Sequence, residues 1–151
     1  MTDTLCSDCP PKGYPTDETR CIPCPRRGLR VLVCGGRDYG NRDHIHNTLC
    51  RLDAERGPIG VVIHGAATGA DHEGMIWAQM MAESGRKIMH APFRADWRRH
   101  GRAAGPLRNQ RMLDEGRAEL VIAFPGGRGT ADMVRRARAA GVEVINIEDE
   151  N

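Results

Sequence analysis

The sequence predicts an α/β fold: an open parallel sheet of Rossmann type with helices on both faces, carrying a small N-terminal zinc-binding segment. Three observations predict it. Short apolar runs alternate five times with segments of helical periodicity. Three of those runs end in glycine loops, at Gly35, Gly65 and Gly126. Four of the six cysteines fall within the first 24 residues, as Cys6-x-x-Cys9 and Cys21-x-x-Cys24.

A chain of 151 residues has room for one ordinary domain and a small appendage. Residues 1–28 form the appendage and its linker, and residues 29–151 the Rossmann-like domain. The first 28 residues hold five prolines and almost no apolar side chains, so they cannot bury a core of their own. Two CxxC pairs in a reducing compartment read as a tetrahedral Cys₄ zinc site, with Cys6, Cys9, Cys21 and Cys24 as ligands. Bound zinc would supply about 10 kcal/mol of folding free energy that burial cannot. The alternative is a disordered tail. A net charge of +2 argues against a general nucleic-acid binder. No apolar run is long enough to span a membrane and no secretory signal is visible, so a cytoplasmic protein is expected.

Within the domain, Leu29 to Cys34 is the first strand. Asn41 or Asp43 caps a helix carrying Ile45, Leu49 and Leu52, which Gly57-Pro58 stops. Ile59 to His64 is the second strand. A helix follows to about Ser84, with Met75, Ala78 and Ala82 on its apolar face, and Gly85 closes it. Arg86 to Ala91 is the third strand. Pro92 to Gly105 is basic and irregular, with Arg94, Arg98, Arg99 and Arg102 opposed only by Asp96. Pro106 suits the first turn of a helix to about Glu115. Glu119 to Phe124 is the fourth strand. The last helix buries Met133, Val134, Ala137 and Ala140, and Val142 to Ile147 is the fifth strand.

Right-handed crossovers put every strand-to-helix loop on one edge of such a sheet, where its ligands bind. Pro125-Gly126-Gly127-Arg128-Gly129-Thr130 lies between a strand and a helix. The first turn of a helix has N–H groups without internal partners and carries partial positive charge. Glycines let an anion come close to that backbone. The stretch therefore reads as a phosphate cradle, in which the Thr130 hydroxyl caps the helix, contacts phosphate, or does both. Arg108 and Arg111 lie three apart on a helix and can share a face toward an anion. Asp38 and Asp71 either accept hydrogen bonds from a ribose or base or cap their own loops. Trp97 either stacks on a base or anchors its loop, and His64 reads as a satisfied strand-end histidine.

Several ordered motifs together resemble the SLOG superfamily, in its YspA-like, YpsA-related branch. They are Gly35-Gly36-Arg37-Asp38, Gly65 through Asp71 with Thr68 and Gly69, Ala95-Asp96-Trp97, Arg108-Asn109-Gln110-Arg111-Met112, and Pro125-Gly126-Gly127-x-Gly129-Thr130. The resemblance spans residues 29–148 and leaves the cysteine segment outside it. It implies a Rossmann-like fold and binding of a nucleotide or nucleotide derivative, as in a sensor. It also implies that these loops, with Arg108, Asn109 and Arg111, hold the ligand, and that the protein is a homodimer. The superfamily includes lonely-guy-type phosphoribohydrolases and the DNA-processing protein DprA. In the former, a P-G-G-x-G-T-x-x-E motif supplies a catalytic Glu and an upstream R-K-x-x-M segment an Arg. Arg108 matches that Arg, Asn109 replaces the Lys, and Met133 stands where the Glu would be. Asp132 is adjacent but turned by about 100°.

Three functions stay open. One is nucleotide binding without strong catalysis. The second is hydrolysis of a nucleotide N-glycosidic bond, with Arg108, Asp71 and Asp132 as the catalytic candidates. The third is a DprA-like DNA-binding module. The sequence does not decide whether the protein is an enzyme.

Overall fold

The computed structural model describes residues 28–149. The expectation of a zinc site at Cys6, Cys9, Cys21 and Cys24 lies outside them, as does most of the expected 1–28 segment.

Five strands form one parallel sheet: β1 (Leu29–Cys34), β2 (Ile59–His64), β3 (Met89–Pro92), β4 (Leu120–Ala123) and β5 (Glu143–Asn146). Their spatial order is β3-β2-β1-β4-β5, with every pair parallel. The helices are α1 (Arg42–Arg56), α2 (Ala70–Glu83), α3 (Trp97–His100), α4 (Ala104–Asp114) and α5 (Arg128–Ala139). The order reverses between β1 and β4, so a crevice opens beyond their carboxyl ends, as in other open α/β sheets.

Period-two alternation divides the sheet between two cores. Val31, Val33, Val62 and Ile122 face α1 and α2, where Ile45, Leu49, Trp77 and Ala78 pack on them. Leu32, Cys34, Ile63 and Val121 face α4 and α5, against Met112, Leu113, Met133 and Ala137. β1 is central and covered on both sides, which is why it reads as an unbroken apolar run.

The five expected strands are present, the last three shorter than their apolar runs. The Asn41 side chain caps α1, accepting from His44 N at 3.1 Å. The irregular basic stretch differs from expectation. It holds α3 and a 3-10 turn, Gly101–Ala103, that runs into α4. α4 begins at Ala104, two residues before Pro106. Proline is tolerated throughout a first turn because its missing N–H would have no partner there. The buried stripe of α2 is Ala70, Gly74, Trp77 and Ala78, whereas Met75 is half-buried and Ala82 exposed. Gly74 makes the difference: a Cβ there would stand 3.2 Å from Val33, so its absence lets α2 lie close on β1. Among the described residues no helix is long and apolar enough to cross a membrane.

The amino-terminal rim of the sheet is clamped by side chains. Asp53, near the end of α1, accepts from Ile59 N at 2.8 Å and from both terminal nitrogens of Arg86 at 2.7 Å. Burial works against its charge, but Arg86 and the Ile59 N–H outweigh that and hold the carboxyl below its ordinary value of 3.8. Arg30 donates from Nε and Nη2 to the Gly116 carbonyl, at 2.9 and 2.7 Å.

Asp53→Ala leaves Arg86 and Ile59 N without their acceptor and should destabilise the domain by about 1–3 kcal/mol. A lowered folded-state pKa means that this stability is present above pH 3.8 and lost as pH falls through the folded value. Paired melts of wild type and Asp53→Ala should therefore differ at neutral pH and converge in acid.

Candidate functional site

The loops after β1, β2 and β4 meet beyond the carboxyl edge of the sheet. Gly36 N donates to Pro125 O at 2.8 Å and closes the first loop on the third. Ala70 N donates to Gly36 O at 3.3 Å, and Thr68 Oγ1 to Arg37 O at 3.2 Å, which fastens the second loop to the first. Gly35 packs so tightly that a Cβ would meet Ala70 Cβ at 2.6 Å and Phe124 Cβ at 2.9 Å. Gly69 has φ +74°, a left-handed turn, and abuts the Gly36 carbonyl.

These loops and α4 enclose a cleft of about 1030 Å³. Of the positions the sequence marked for ligand binding, Gly35, Gly36, Arg37, Asp38, Asp71, Arg108, Asn109, Gly126, Gly127, Gly129 and Thr130 line it. Gly65, Thr68 and Gly69 do not. The second loop is a buttress and reaches the cleft only through Ala67 and Asp71. Arg111 is also outside it: its guanidinium lies 5.6 Å from the Phe93 ring centroid and pairs with Glu115 at 3.3 Å. This corrects the expectation that Arg108 and Arg111 share a face toward the ligand. Three helical residues leave about 60° between side-chain directions, enough to put long side chains on different surfaces.

α5 begins at Arg128 with Gly127 as its N-cap, and no side chain caps it. Thr130 is therefore the third helical residue rather than the cap, and its hydroxyl lies against Gly126. Side chains added at Gly127 or Gly129 would meet nothing within 4 Å. The first turn, Arg128 to Thr130, lines the cleft with no side chain capping its N–H groups.

Behind this turn lies a polar lattice. Asn109 is buried and donates from Nδ2 to Gly129 O at 3.2 Å and to Asp132 Oδ2 at 3.0 Å. Asp132 also accepts from Arg135 at 2.6 Å and Arg136 at 2.8 Å. Burial opposes its ionisation, but Arg136, Asn109 and Arg135 outweigh this and hold the carboxyl below the usual range. Asp132 is thus a committed carboxylate, poorly suited to carry a proton. Arg108 donates to Gly65 O at 2.7 Å and to Asn109 Oδ1 at 3.1 Å, leaving other guanidinium hydrogens available. Burial lowers its pKa, with Arg37 adding to that and Asp71 opposing it.

Asp71 is buried and accepts from Gly65 N at 2.7 Å. Burial raises its pKa, and the Gly65 N–H, Arg108, the Ala67 N–H and Arg37 offset this only in part. Cys34 lies on the cleft floor, and burial pushes its thiol far up, with Asp71 adding to the effect. A thiol so held does not supply a nucleophilic thiolate. Met133 is 1% exposed and also lines the cleft, so the position of the phosphoribohydrolase Glu holds a thioether.

His64 is outside the cleft. Its Nδ1 accepts from Ala66 N at 3.1 Å, so the ring proton sits on Nε2 and is donated to His90 Nδ1 at 3.0 Å. Burial, then His90, His72 and Arg94, lower its pKa to about 4. It is the satisfied strand-end histidine that its place suggested. Among the described residues no group of three or more His, Cys, Asp or Glu is arranged to hold a metal ion.

Sequence reasoning did not assign Tyr39, Arg102, Arg128 and Arg135 to the cleft, yet they line it. Arg128 occupies the variable position inside the glycine motif, and Arg102 belongs to the basic stretch, so a signal existed for both. Trp97 is 49% exposed at the cleft, stacked beneath Arg37 at 5.3 Å, and does not anchor its loop in the core.

Residues 29–100 match the family described as the YspA, cpYpsA-related SLOG family. The Gene 61 protein of Mycobacterium phage D29 is 42% identical over 123 residues, covering 80% of this chain and 97% of that protein. The solved structure of the Moco carrier protein from Chlamydomonas reinhardtii aligns over 80% of this chain and 78% of its own, at 19% identity and a TM-score of 0.48. The glycine loop after β1, the buttressing loop after β2 and the Asp96-Trp97 segment all fall within the matched residues, and the chain belongs to the YspA, cpYpsA-related SLOG family.

Proposed function

We propose that the cleft binds a nucleotide or nucleotide derivative by its phosphate, as a sensor rather than as a strong catalyst. The observation that carries this reading is the uncapped first turn of α5, which opens onto a cleft lined by Arg37, Arg102, Arg108, Arg128 and Arg135. Asp132 is already paired with Arg135 and Arg136, and Asp71 sits beside Arg108; Arg37, Arg102 and Arg128 then outnumber Asp38, so the remaining charge of the lining is positive. Backbone donors at a helix start and guanidinium groups are the usual partners of a phosphate. A volume of about 1030 Å³ leaves room for a ribose and base beyond it.

One observation favours a second reading, hydrolysis of an N-glycosidic bond. The raised pKa of Asp71 is a property of a general acid. Against this, Asp71 is occupied with its own loop, Asp132 is fully paired, and Met133 supplies no carboxylate for an oxocarbenium-like state.

The cysteine segment is a separate proposal. Cys6, Cys9, Cys21 and Cys24 bind one structural zinc, on the strength of their paired spacing. Metal analysis of the purified full chain should give one zinc per chain, and none after all four are changed to Ser.

Gly129→Ala separates fold from function. Alanine in a helix is favoured over glycine, so the ligand-free protein should melt higher, by a few tenths to about 1 kcal/mol of stability. The added methyl enters the open space before the α5 donors, so stabilisation by AMP or ribose 5-phosphate should shrink. A variant that melts higher and responds to both compounds like wild type would remove this turn from the site. Gly127→Val should likewise abolish the ligand response while the ligand-free protein stays folded.

Incubation of pure protein with AMP should release no adenine above the uncatalysed background. Release that disappears in Asp71→Asn, and that declines as pH rises through the raised Asp71 pKa, would establish the hydrolase reading instead.

A further inference from the structure

We propose that Trp97 is the stacking platform for the base of the bound nucleotide, and that Arg37 holds its place in the ligand-free protein. This rests on the phosphate-binding reading and adds to it how the far end of the ligand is gripped.

The two tryptophans have opposite surroundings. Trp77 is 1% exposed in the core, whereas Trp97 is 49% exposed and borders the cleft that the α5 turn also borders. Large aromatic surface left half in water at a cleft mouth is costly unless something covers it. The indole is also held in place. Asp96 caps α3, accepting from Arg99 N at 3.0 Å, and so fixes the backbone at Trp97. Gly105, in the first turn of α4, lets the ring lie close: a Cβ there would stand 3.3 Å from Trp97 Cη2. A ring seated against a helix with exposed surface toward a cavity is the arrangement that receives a planar partner.

A planar partner is already there. The Arg37 guanidinium lies over the indole, 5.3 Å from its centroid. Arg37 has no carboxylate partner within 4 Å among the described residues, although its backbone is fixed by Thr68 through the carbonyl. A guanidinium over an indole is held by about 0.5–1 kcal/mol at an exposed site, weak enough to be exchanged. A phosphate at the α5 turn offers Arg37 a stronger, charge-assisted partner. As Arg37 turns to it, the indole face is vacated and the base takes it. Phosphate capture and base stacking are thereby coupled through one side chain. Stacking of this kind tolerates any base, so the platform supplies affinity for an aromatic group rather than discrimination among bases.

The test uses the full chain with two probes, AMP and ribose 5-phosphate, which differ only by the base. Calorimetric titration gives affinities, and intrinsic emission reports on the indole. Wild type should bind AMP about tenfold more tightly than ribose 5-phosphate, and AMP alone should quench the emission. Trp97→Ala should bring the two affinities within about twofold by weakening AMP only, while Trp97→Phe keeps most of the preference. Arg37→Gln should weaken both probes alike. A Trp97→Ala protein that keeps the AMP preference, or weakens both probes equally, overturns the stacking assignment and leaves the phosphate reading standing. The same holds if wild type binds both probes equally. An Arg37→Gln effect confined to AMP overturns the place-holding role. Binding of neither probe by wild type ends both readings.

Discussion

The site depends on the hydrogen bond from Gly36 N to Pro125 O. β1 and β4 are neighbours although seven other elements separate them in the chain, and their parallel register brings Cys34 level with Ala123. The next residues on each strand must diverge into loops. That single backbone contact, with Gly35 packed between Ala70 and Phe124, keeps them together for one more step. Only then does the chain turn into α5, whose uncapped first turn lines the crevice. Side chains at Gly35 or Gly126 would push the loops apart. Their absence is a packing requirement, distinct from the open approach at Gly127 and Gly129.

The electrostatics follow from this geometry. Two of the three carboxylates that line the cleft are satisfied by their neighbours, Asp132 by α4 and α5 and Asp71 by the loop after β2 and by Arg108; Asp38 is the third. Guanidinium groups remain at the front. A low-dielectric floor of Cys34, Met112 and Met133 strengthens whatever charge interaction forms above it. The same floor offers no group able to attack or to protonate a substrate.

Much of this was legible in the chain. The alternation of apolar runs with helical segments fixes the layer order, and glycine clusters after strands mark the ligand edge. What was not legible depends on contacts between distant residues. Nothing local says that Gly65, Thr68 and Gly69 support the first loop instead of lining the cleft. That follows from the reach of Arg108 to the Gly65 carbonyl and of Thr68 to the Arg37 carbonyl. The separation of Arg108 from Arg111 depends on Phe93, which a helical wheel does not contain. Trp77 escaped notice as a core residue because Gly74, rather than an apolar side chain, sets how close α2 comes to the sheet. The early start of α4 was hidden by a proline that a first turn accepts at more than one position.

The clamps made by Asp53 with Arg86 and by Arg30 with Gly116 occupy the rim opposite the cleft. The clamps and the cleft thereby lie at opposite ends of the same strands. At the glycine end only the open positions, Gly127 and Gly129, can take a side chain without loosening the scaffold, whereas change at Gly35, at Gly126 or at the clamps is judged by folding.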